Sequence, residues 1–461
     1  MKYYDAIIIG AGQAGIPLAK KLAEAGKKTV IIEERMVGGT CINDGCTPTK
    51  TMIASARAAY QARMAGKLGV QTGTVKVDLK QIRKRKDEIV ESFRAGAQKG
   101  LESTKGLDLI HGSAAFSGPK ELTVTLAGGE KLMLSADWIF INTGAKPKLP
   151  ELPGLTESNY LTSTTILDLA EIPEHLVVLG GNYIGLEFAQ LFHRFGSKVT
   201  VLEKSARIIG REDEDVSAEI TKILKEEGLE ILTNTTIKEI ERVPKQLKIQ
   251  LKSAAGAANI KASHLLIAIG RTPNTPSLNL DIPGVKTDKN GYISVNDKLE
   301  TNVKGIYALG DVNGGPAFTH IAYNDFTIVY RNLIEKGNFS TVDRQVPYCL
   351  FTDPQLGRVG LSAGDAKAKG LDFLVAKIPM SQVARGIETG QTSGFMKAVV
   401  DRKSKQILGA CILAAEGGEI MAVLQMAMQG GITYDEIRYG VFAHPTFSES
   451  LNNLFMSIKE E

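Results

Sequence analysis

Cysteine is scarce in this chain, four residues among 461. So few thiols exclude a disulfide scaffold, and in a reducing compartment a close pair is catalytic or metal-binding more often than structural. Cys349 and Cys411 stand alone and read as buried, inert cysteines. No run of about 18 apolar residues occurs, so no membrane span is expected. The N-terminus enters an apolar strand within a few residues, which leaves no room for a signal peptide and makes the cytoplasm the expected location. Neither sign of charge dominates: 55 Lys and Arg against 51 Asp and Glu leave +4, with no basic arm or patch interleaved with aromatics. Nucleic acid is therefore not an expected partner. The charged run Lys80–Lys86 reads as the solvated face of a helix.

What is present is apolar material for several cores, since 461 residues exceed the roughly 250 to 300 that one core supports. Asp5–Glu33 reads as strand, glycine turn, helix, strand: the apolar run Ala6–Ile9, then Gly10-Ala11-Gly12-Gln13-Ala14-Gly15, an amphipathic stretch to Ala25, and Thr29–Ile32 closed by Glu33. In a dinucleotide-binding unit the first glycine makes the tight turn, the second lets pyrophosphate approach, the third packs helix on sheet, and the acid takes ribose hydroxyls. The device returns at Leu176–Leu179, Gly180-Gly181-Asn182-Tyr183-Ile184-Gly185, a helix to Phe195, and Lys198–Leu202 closed by Glu203. From first glycine to acid the interval is 23 in both copies. Two nucleotide sites are the economical explanation, with Asn182 tolerated where the middle glycine would stand. Two further apolar strands end in turns, Leu265–Gly270 before Arg271, and Gly305–Leu309 before Gly310-Asp311. The last 120 residues or so alternate strands (Phe395–Val400, Gln406–Leu413) with a helix over Gly418–Met428, the pattern of an α+β interface domain.

The chemistry concentrates in Gly38-Gly39-Thr40-Cys41-Ile42-Asn43-Asp44-Gly45-Cys46-Thr47-Pro48-Thr49-Lys50. Five residues of regular helix rise about 7.5 Å, beyond the roughly 6.8 Å that a disulfide allows between Cα atoms. A bridge between Cys41 and Cys46 therefore requires a compressed, irregular turn, which Asn43, Asp44 and Gly45 accept. Zinc is disfavoured because it wants four Cys or His ligands and no second cysteine pair exists, so no metal site is expected. A purely structural bridge over so short a loop would stabilise little. Asp44 beside the pair is expected to raise the thiol pKa values by like-charge repulsion. His444-Pro445-Thr446-Phe447-Ser448-Glu449 supplies an imidazole to exchange a proton with a thiol and a carboxylate to orient it.

At these residues the chain resembles the class I pyridine nucleotide-disulfide oxidoreductases, the family of dihydrolipoamide dehydrogenase, glutathione reductase and mercuric reductase. The resemblance spans nearly the whole chain, through Gly39-Thr40-Cys41 with Cys46 and Lys50, both glycine fingerprints, Thr143-Gly144-Ala145-x-Pro147, Gly270-Arg271-x-Pro273-Asn274, Gly310-Asp311 and His444-Pro445-Thr446 with Glu449. It implies an α/β fold of two Rossmann-like domains, for FAD and NAD(P), plus a C-terminal α+β dimerisation domain. The expected division is 1–147 and 272–342 for FAD, 148–271 for NAD(P), and 343–461 for the interface.

By the same resemblance Gly10, Gly12, Gly15, Glu33, Thr40, Lys50, Thr143, Gly144, Gly310 and Asp311 would hold FAD. Ala114 would touch its adenine end, and Thr319 and His320 would approach its ring. Gly180, Tyr183, Ile184, Gly185, Glu187, Glu203, Gly270 and Arg271 would serve the nicotinamide nucleotide, with Tyr183 as a gate and Glu187 paired with Lys50. Cys46 would be the thiol beside the flavin and Cys41 the one that meets substrate. His444 and Glu449 would serve the partner subunit, so a homodimer with shared sites is implied. Relatives also carry a cis bond where His444-Pro445 stands.

Glu203 favours NADH over NADPH, because a carboxylate repels a 2′-phosphate, while Lys204 and Arg207 keep NADPH open. Glu203 also disfavours glutathione reductase, and the tail Ser457–Glu461 lacks the redox-active cysteines of mercuric and large thioredoxin reductases. Lipoamide is the first acceptor expected. Asp44, Thr47 and the stretch Pro379–Gly390 are more like mercuric reductase-like proteins and keep a metal-ion or quinone acceptor open. A non-catalytic redox sensor is the reading from another class, and the presence of Cys41, Cys46, Lys50, Glu187 and His444 together argues against it.

Overall fold

The computed structural model describes residues 1–253 and 256–459; Glu460 and Glu461 of the tail lie outside the described residues. The chain divides into two compact units. One comprises Met1–Thr51, Gln81–Lys148 and Gly270–Arg344, the other Met52–Lys80, Leu149–Ile269 and Gln345–Glu461.

In the first unit four strands lie parallel in the order Leu107–Gly118, Thr29–Glu33, Lys2–Ile9 and Lys131–Ile141, and Ile306–Ala308 extends the sheet in parallel. Glu121–Leu126 pairs antiparallel with both Leu107–Gly118 and Lys131–Ile141. The near-continuous apolar runs read in the sequence are what strands covered on both faces require. Ile7, Ile9, Val30 and Ile32 pack into one core, whereas Ala6, Ile8, Ile31 and Phe140 pack into another under Leu18, Ala19 and Leu22 of the helix Gly15–Glu24. Truncating Ile8, fully buried, to Ala would cost about 2–5 kcal/mol. Because Lys2–Ile9 has one neighbour through the helix and another from a later part of the chain, the strand order switches at its carboxyl end, where such folds form their nucleotide crevice.

The second unit repeats the plan. Parallel strands run in the order His264–Ile267, His175–Leu179, Lys198–Leu202 and Glu230–Leu232, and an antiparallel meander of Thr235–Val243, Gln246–Ser253 and Gly256–Ala262 lies in the chain between Glu230–Leu232 and His264–Ile267. The C-terminal part is a five-stranded antiparallel sheet in the order Tyr348–Leu350, Gln355–Gly360, Ile407–Ala414, Phe395–Asp401, Phe373–Pro379. The helix Gly417–Gln429 covers it with Ile420, Met421, Leu424 and Ala427. The fold is thus the expected pair of Rossmann-like α/β domains with a C-terminal α+β domain.

Two local expectations need correction. In the helix Leu79–Glu102 the charged run is solvated at Lys80, Lys84 and Arg85, but Lys86 is buried, with its ammonium 2.6 Å from Asp87. Cys349 is only half-buried, whereas Cys411 is fully buried and its thiol pKa is pushed up by that burial. Among the described residues no helix is long and apolar enough to cross a membrane.

Candidate active site

The first glycine loop is shaped by contacts that only glycine permits. Gly10 has φ +105°, and a Cβ there would lie 2.4 Å from the Asn142 carbonyl oxygen; one on Gly15 would lie 2.2 Å from the carbonyl of Gly10. Asn142, which follows the apolar strand Lys131–Ile141, accepts from Gly15 N (2.9 Å) through Oδ1 and donates from Nδ2 to the Leu309 carbonyl (2.8 Å). It thereby satisfies a donor at the start of the helix, whose own N-cap, Ala14, has no side chain to offer. Glu33 closes the loop: Oε2 accepts from Ala11 N at 2.7 Å and Oε1 from Arg35 N at 2.8 Å. From the other side Gly38 N donates to the Ala11 carbonyl at 2.8 Å.

The helix Gly39–Asn43 carries Thr40 and Cys41, and the helix Cys46–Met64 carries Cys46 and Lys50. Between them Asp44 leaves helical geometry at φ −132°, so the irregular turn expected from the cysteine spacing is present. The side chain of Asn43 binds it, donating to the carbonyls of Val37 and Gly39 at 3.0 Å each and accepting from Arg94 Nε at 2.7 Å. Both cysteines are thiols, and Cys46 Sγ lies 3.4 Å from Thr319 Oγ1. The Cys41 thiol is pushed well above its ordinary pKa by hydrogen bonding to Cys46 and then by burial, with Thr319 and Lys50 acting in the opposite sense. The expected cause was Asp44, but its carboxylate is held 2.6 Å from the Arg35 guanidinium and is not among the causes at Cys41.

Gly310 and Asp311 sit in the turn Gly310–Asn313 after the strand Ile306–Ala308, and Thr319 opens the helix Thr319–Leu333. Asp325, buried in that helix, accepts from Gly310 N at 2.8 Å and pairs with Arg344 at 2.5 Å, which fixes the turn. Burial pushes the Asp311 carboxyl up and Arg271, with Nε 3.7 Å from it, pulls it down. Arg271, grouped by resemblance with the nicotinamide residues, thus lies beside a residue of the FAD set. His320 is exposed and stacks on Phe318 with ring centroids 5.4 Å apart. Ala114 is buried in its strand opposite Val124.

A phosphate-bearing dinucleotide fits what this unit offers. The glycines leave a cradle that side chains would fill, the helix Gly15–Glu24 starts there, and the buried Thr143 Oγ1 beside Gly144 has no hydrogen-bond partner among the described residues.

The second loop belongs to the other unit. Gly180 has φ +118° and a Cβ on it would lie 2.4 Å from the Ala268 carbonyl; a Cβ on Gly185 would lie 2.0 Å from that of Gly180. Asn182 caps the helix Tyr183–Phe195 in extended backbone, its Oδ1 accepting from Tyr183 N at 2.9 Å. Glu203 accepts from Gly181 N and Ser205 N, both at 2.8 Å. Tyr183 and Ile184 stand half-buried in the first turn, and buried Glu187 accepts from Phe351 N at 3.0 Å. In the same unit His444 is exposed, the His444–Pro445 bond is cis, and Nδ1 lies 2.9 Å from both carboxylate oxygens of Glu449. A carboxylate on Nδ1 fixes the ring and assigns the proton there. The sequence had not singled out Asn142, Asp325 or Arg344, and had named Asn43 only for its backbone; a lone Asn ending an apolar strand before Thr143-Gly144 was the one available signal.

Comparison with known proteins now decides the family. The model for pyridine nucleotide-disulphide oxidoreductases matches residues 4–325, and that for their dimerisation domain matches 346–455. The chain belongs to this family. It is 38% identical over 463 residues to the probable pyridine nucleotide-disulfide oxidoreductase RclA of Escherichia coli (strain K12), covering 100% of both chains. It is 36% identical to the mercuric reductase of Staphylococcus aureus, covering 97% of this chain and 81% of that one. The dihydrolipoyl dehydrogenase of Thermus scotoductus is 34% identical, with 98% and 96% covered. A solved structure described as the Cu(II) complex of the HOCl-induced flavoprotein disulfide reductase RclA from Escherichia coli superposes with a TM-score of 0.91 at 38% identity, over 100% of both chains. Members of this oxidoreductase family are flavin-dependent enzymes that bind FAD and a pyridine nucleotide, and the dimerisation domain supports a homodimer.

Proposed function

We propose that the chain passes electrons from NADH through FAD to the Cys41–Cys46 pair and on to a small disulfide, with lipoamide the first candidate. FAD, held by Gly10, Gly12, Gly15, Glu33, Ala114, Thr143, Gly144 and Asp311, supplies a two-electron carrier between the nicotinamide and the thiols. The nucleotide is held by Gly180, Gly185 and Glu203, with Tyr183 over its entry, and the Glu203 carboxylate favours an unphosphorylated ribose. The observation that carries the disulfide reading is His444 aligned by both oxygens of Glu449. A thiol as hard to ionise as Cys41 needs a base before it attacks, and an aligned imidazole is that base.

In this reading Cys41 gives its proton to His444 of the partner subunit and attacks the substrate disulfide. One substrate sulfur leaves as a thiol with that proton, and Cys46, as thiolate, displaces the other, so substrate gains two electrons and the cysteines become a disulfide. A metal ion is the second acceptor, favoured by the Cu(II) complex of a relative alike over its full length and by mercuric reductases at 36% identity.

The test is anaerobic rapid mixing with NADH or NADPH, then with lipoamide or a metal ion. The reduced protein should show the long-wavelength absorbance of a thiolate beside oxidised flavin, form it faster with NADH, and lose it to lipoamide. Discharge by a metal ion alone would replace the first acceptor with the second.

A further inference from the structure

The two glycine loops are clamped in the same way, with one difference. In the first, Ala11 is held at its N–H by Glu33 and at its carbonyl by Gly38 N, and Gly38 has φ +107°. In the second, Gly181 is held at its N–H by Glu203 and at its carbonyl by Ile209 N at 2.9 Å. Ile209 has φ +41° and is buried. A β-branched residue in the left-handed region is strained and persists only when its surroundings force it, and such strain clusters at binding sites. Ile208 presses on the same loop, since a Cβ on Gly181 would lie 2.6 Å from its Cγ2.

What forces the segment lies at its far end. Glu212 N donates to the Ile209 carbonyl at 2.9 Å. Glu212 is 4% exposed, accepts from the Tyr348 hydroxyl, and has Oε2 3.9 Å from Nε of Arg358, itself buried. Asp213 accepts from Ala363 N (3.1 Å), Gly364 N (2.9 Å) and Lys397 Nζ (2.8 Å). All of these partners belong to the C-terminal sheet and the helix Ala363–Ala368 beside it.

We propose that Ser205–Asp213 is a strap that sets the second glycine loop for its pyridine nucleotide, and that Glu212, gripped by Tyr348 and Arg358, is its positioning residue. The dimerisation domain thereby tunes nucleotide affinity without touching the nucleotide. The inference rests on the reading of Gly180–Gly185 and Glu203 as the pyridine-nucleotide site.

The test is steady-state oxidation of NADH by the FAD-bound protein with a dye as acceptor, in Tyr348→Phe, Glu212→Gln and Glu203→Gln. Tyr348→Phe keeps volume and deletes one hydroxyl, so it serves even where Glu212→Gln folds poorly. It should raise KM for NADH about five- to tenfold, the scale of one hydrogen bond's net contribution, with kcat and FAD content held. A shift in Glu203→Gln without one in Tyr348→Phe or Glu212→Gln overturns the strap and leaves the site reading standing. An unmoved KM in all three overturns both. A lowered kcat and thermal midpoint with KM unmoved makes the contacts structural only and also overturns the strap.

Discussion

The same glycine turn is built twice and completed by different means. In the first copy the donor at the helix start is satisfied from a distance by Asn142, and the clamping N–H comes from a glycine. In the second, Ala268 occupies the place of Asn142 under the turn, the helix carries its own cap in Asn182, and a strained isoleucine clamps. The middle position follows from this. A Cβ on Gly12 would lie 3.0 Å from Asn142 Oδ1, so a side chain there would crowd Asn142, whereas the second loop has Ala268 in that place and carries Asn182. A fingerprint residue thus answers to the residue that follows the strand beneath the turn as well as to any ligand above it.

The comparison can be broken most severely at the first glycines. Gly10→Ala should yield protein without FAD, and Gly180→Ala should keep its FAD yet lose about 100-fold in NADH oxidation, since each Cβ meets a carbonyl in a backbone only glycine accepts. Flavin absorbance and dye-coupled turnover measure both, and loss of FAD from Gly180→Ala would mean the loops do not serve separate nucleotides. Next in size is Gly12→Asn, expected to abolish FAD retention and to regain part of it in the double variant with Asn142→Ala. The single Asn142→Ala should cost about 1–3 kcal/mol through unpaired Gly15 N and Leu309 O, read by thermal or denaturant unfolding. The converse exchange, Asn182→Gly, should be mild: a few tenths of a kcal/mol in stability and a KM for NADH within about threefold.

The smallest effect concerns pH at the strap. Burial alone would raise the Asp213 carboxyl, but Lys397 and the backbone of Gly364 and Ala363 hold it down to about 2 from an ordinary 3.8. A depressed carboxylate adds stability above its unfolded pKa and loses it as pH falls through the folded value. Unfolding followed from pH 4 down to about 2 should therefore show a loss in the parent that is weaker in Asp213→Asn.

Much of this was legible in the chain. Both βαβ units, their acids at equal intervals, the broken helix between Cys41 and Cys46, and the α+β tail rest on local signals: apolar runs, glycine turns and spacing. Solvent exposure was less so. Lys86 sits in a charged run yet is buried, because which face of a helix packs depends on its tertiary neighbours. The pairing of Asp44 with Arg35 depends on the fold of the loop between them, so its effect on the thiols could not be read from proximity in sequence.

By itself the sequence determined two glycine loops in βαβ units and a close cysteine pair in a broken helix, because turns, caps and spacing act over a few residues. Only the tertiary structure decided that Asn142, Asp325 and Glu212 support them. Each is an ordinary polar residue in the sequence, given its role by burial against partners 15 to 167 positions away, where an unmet hydrogen bond is costly.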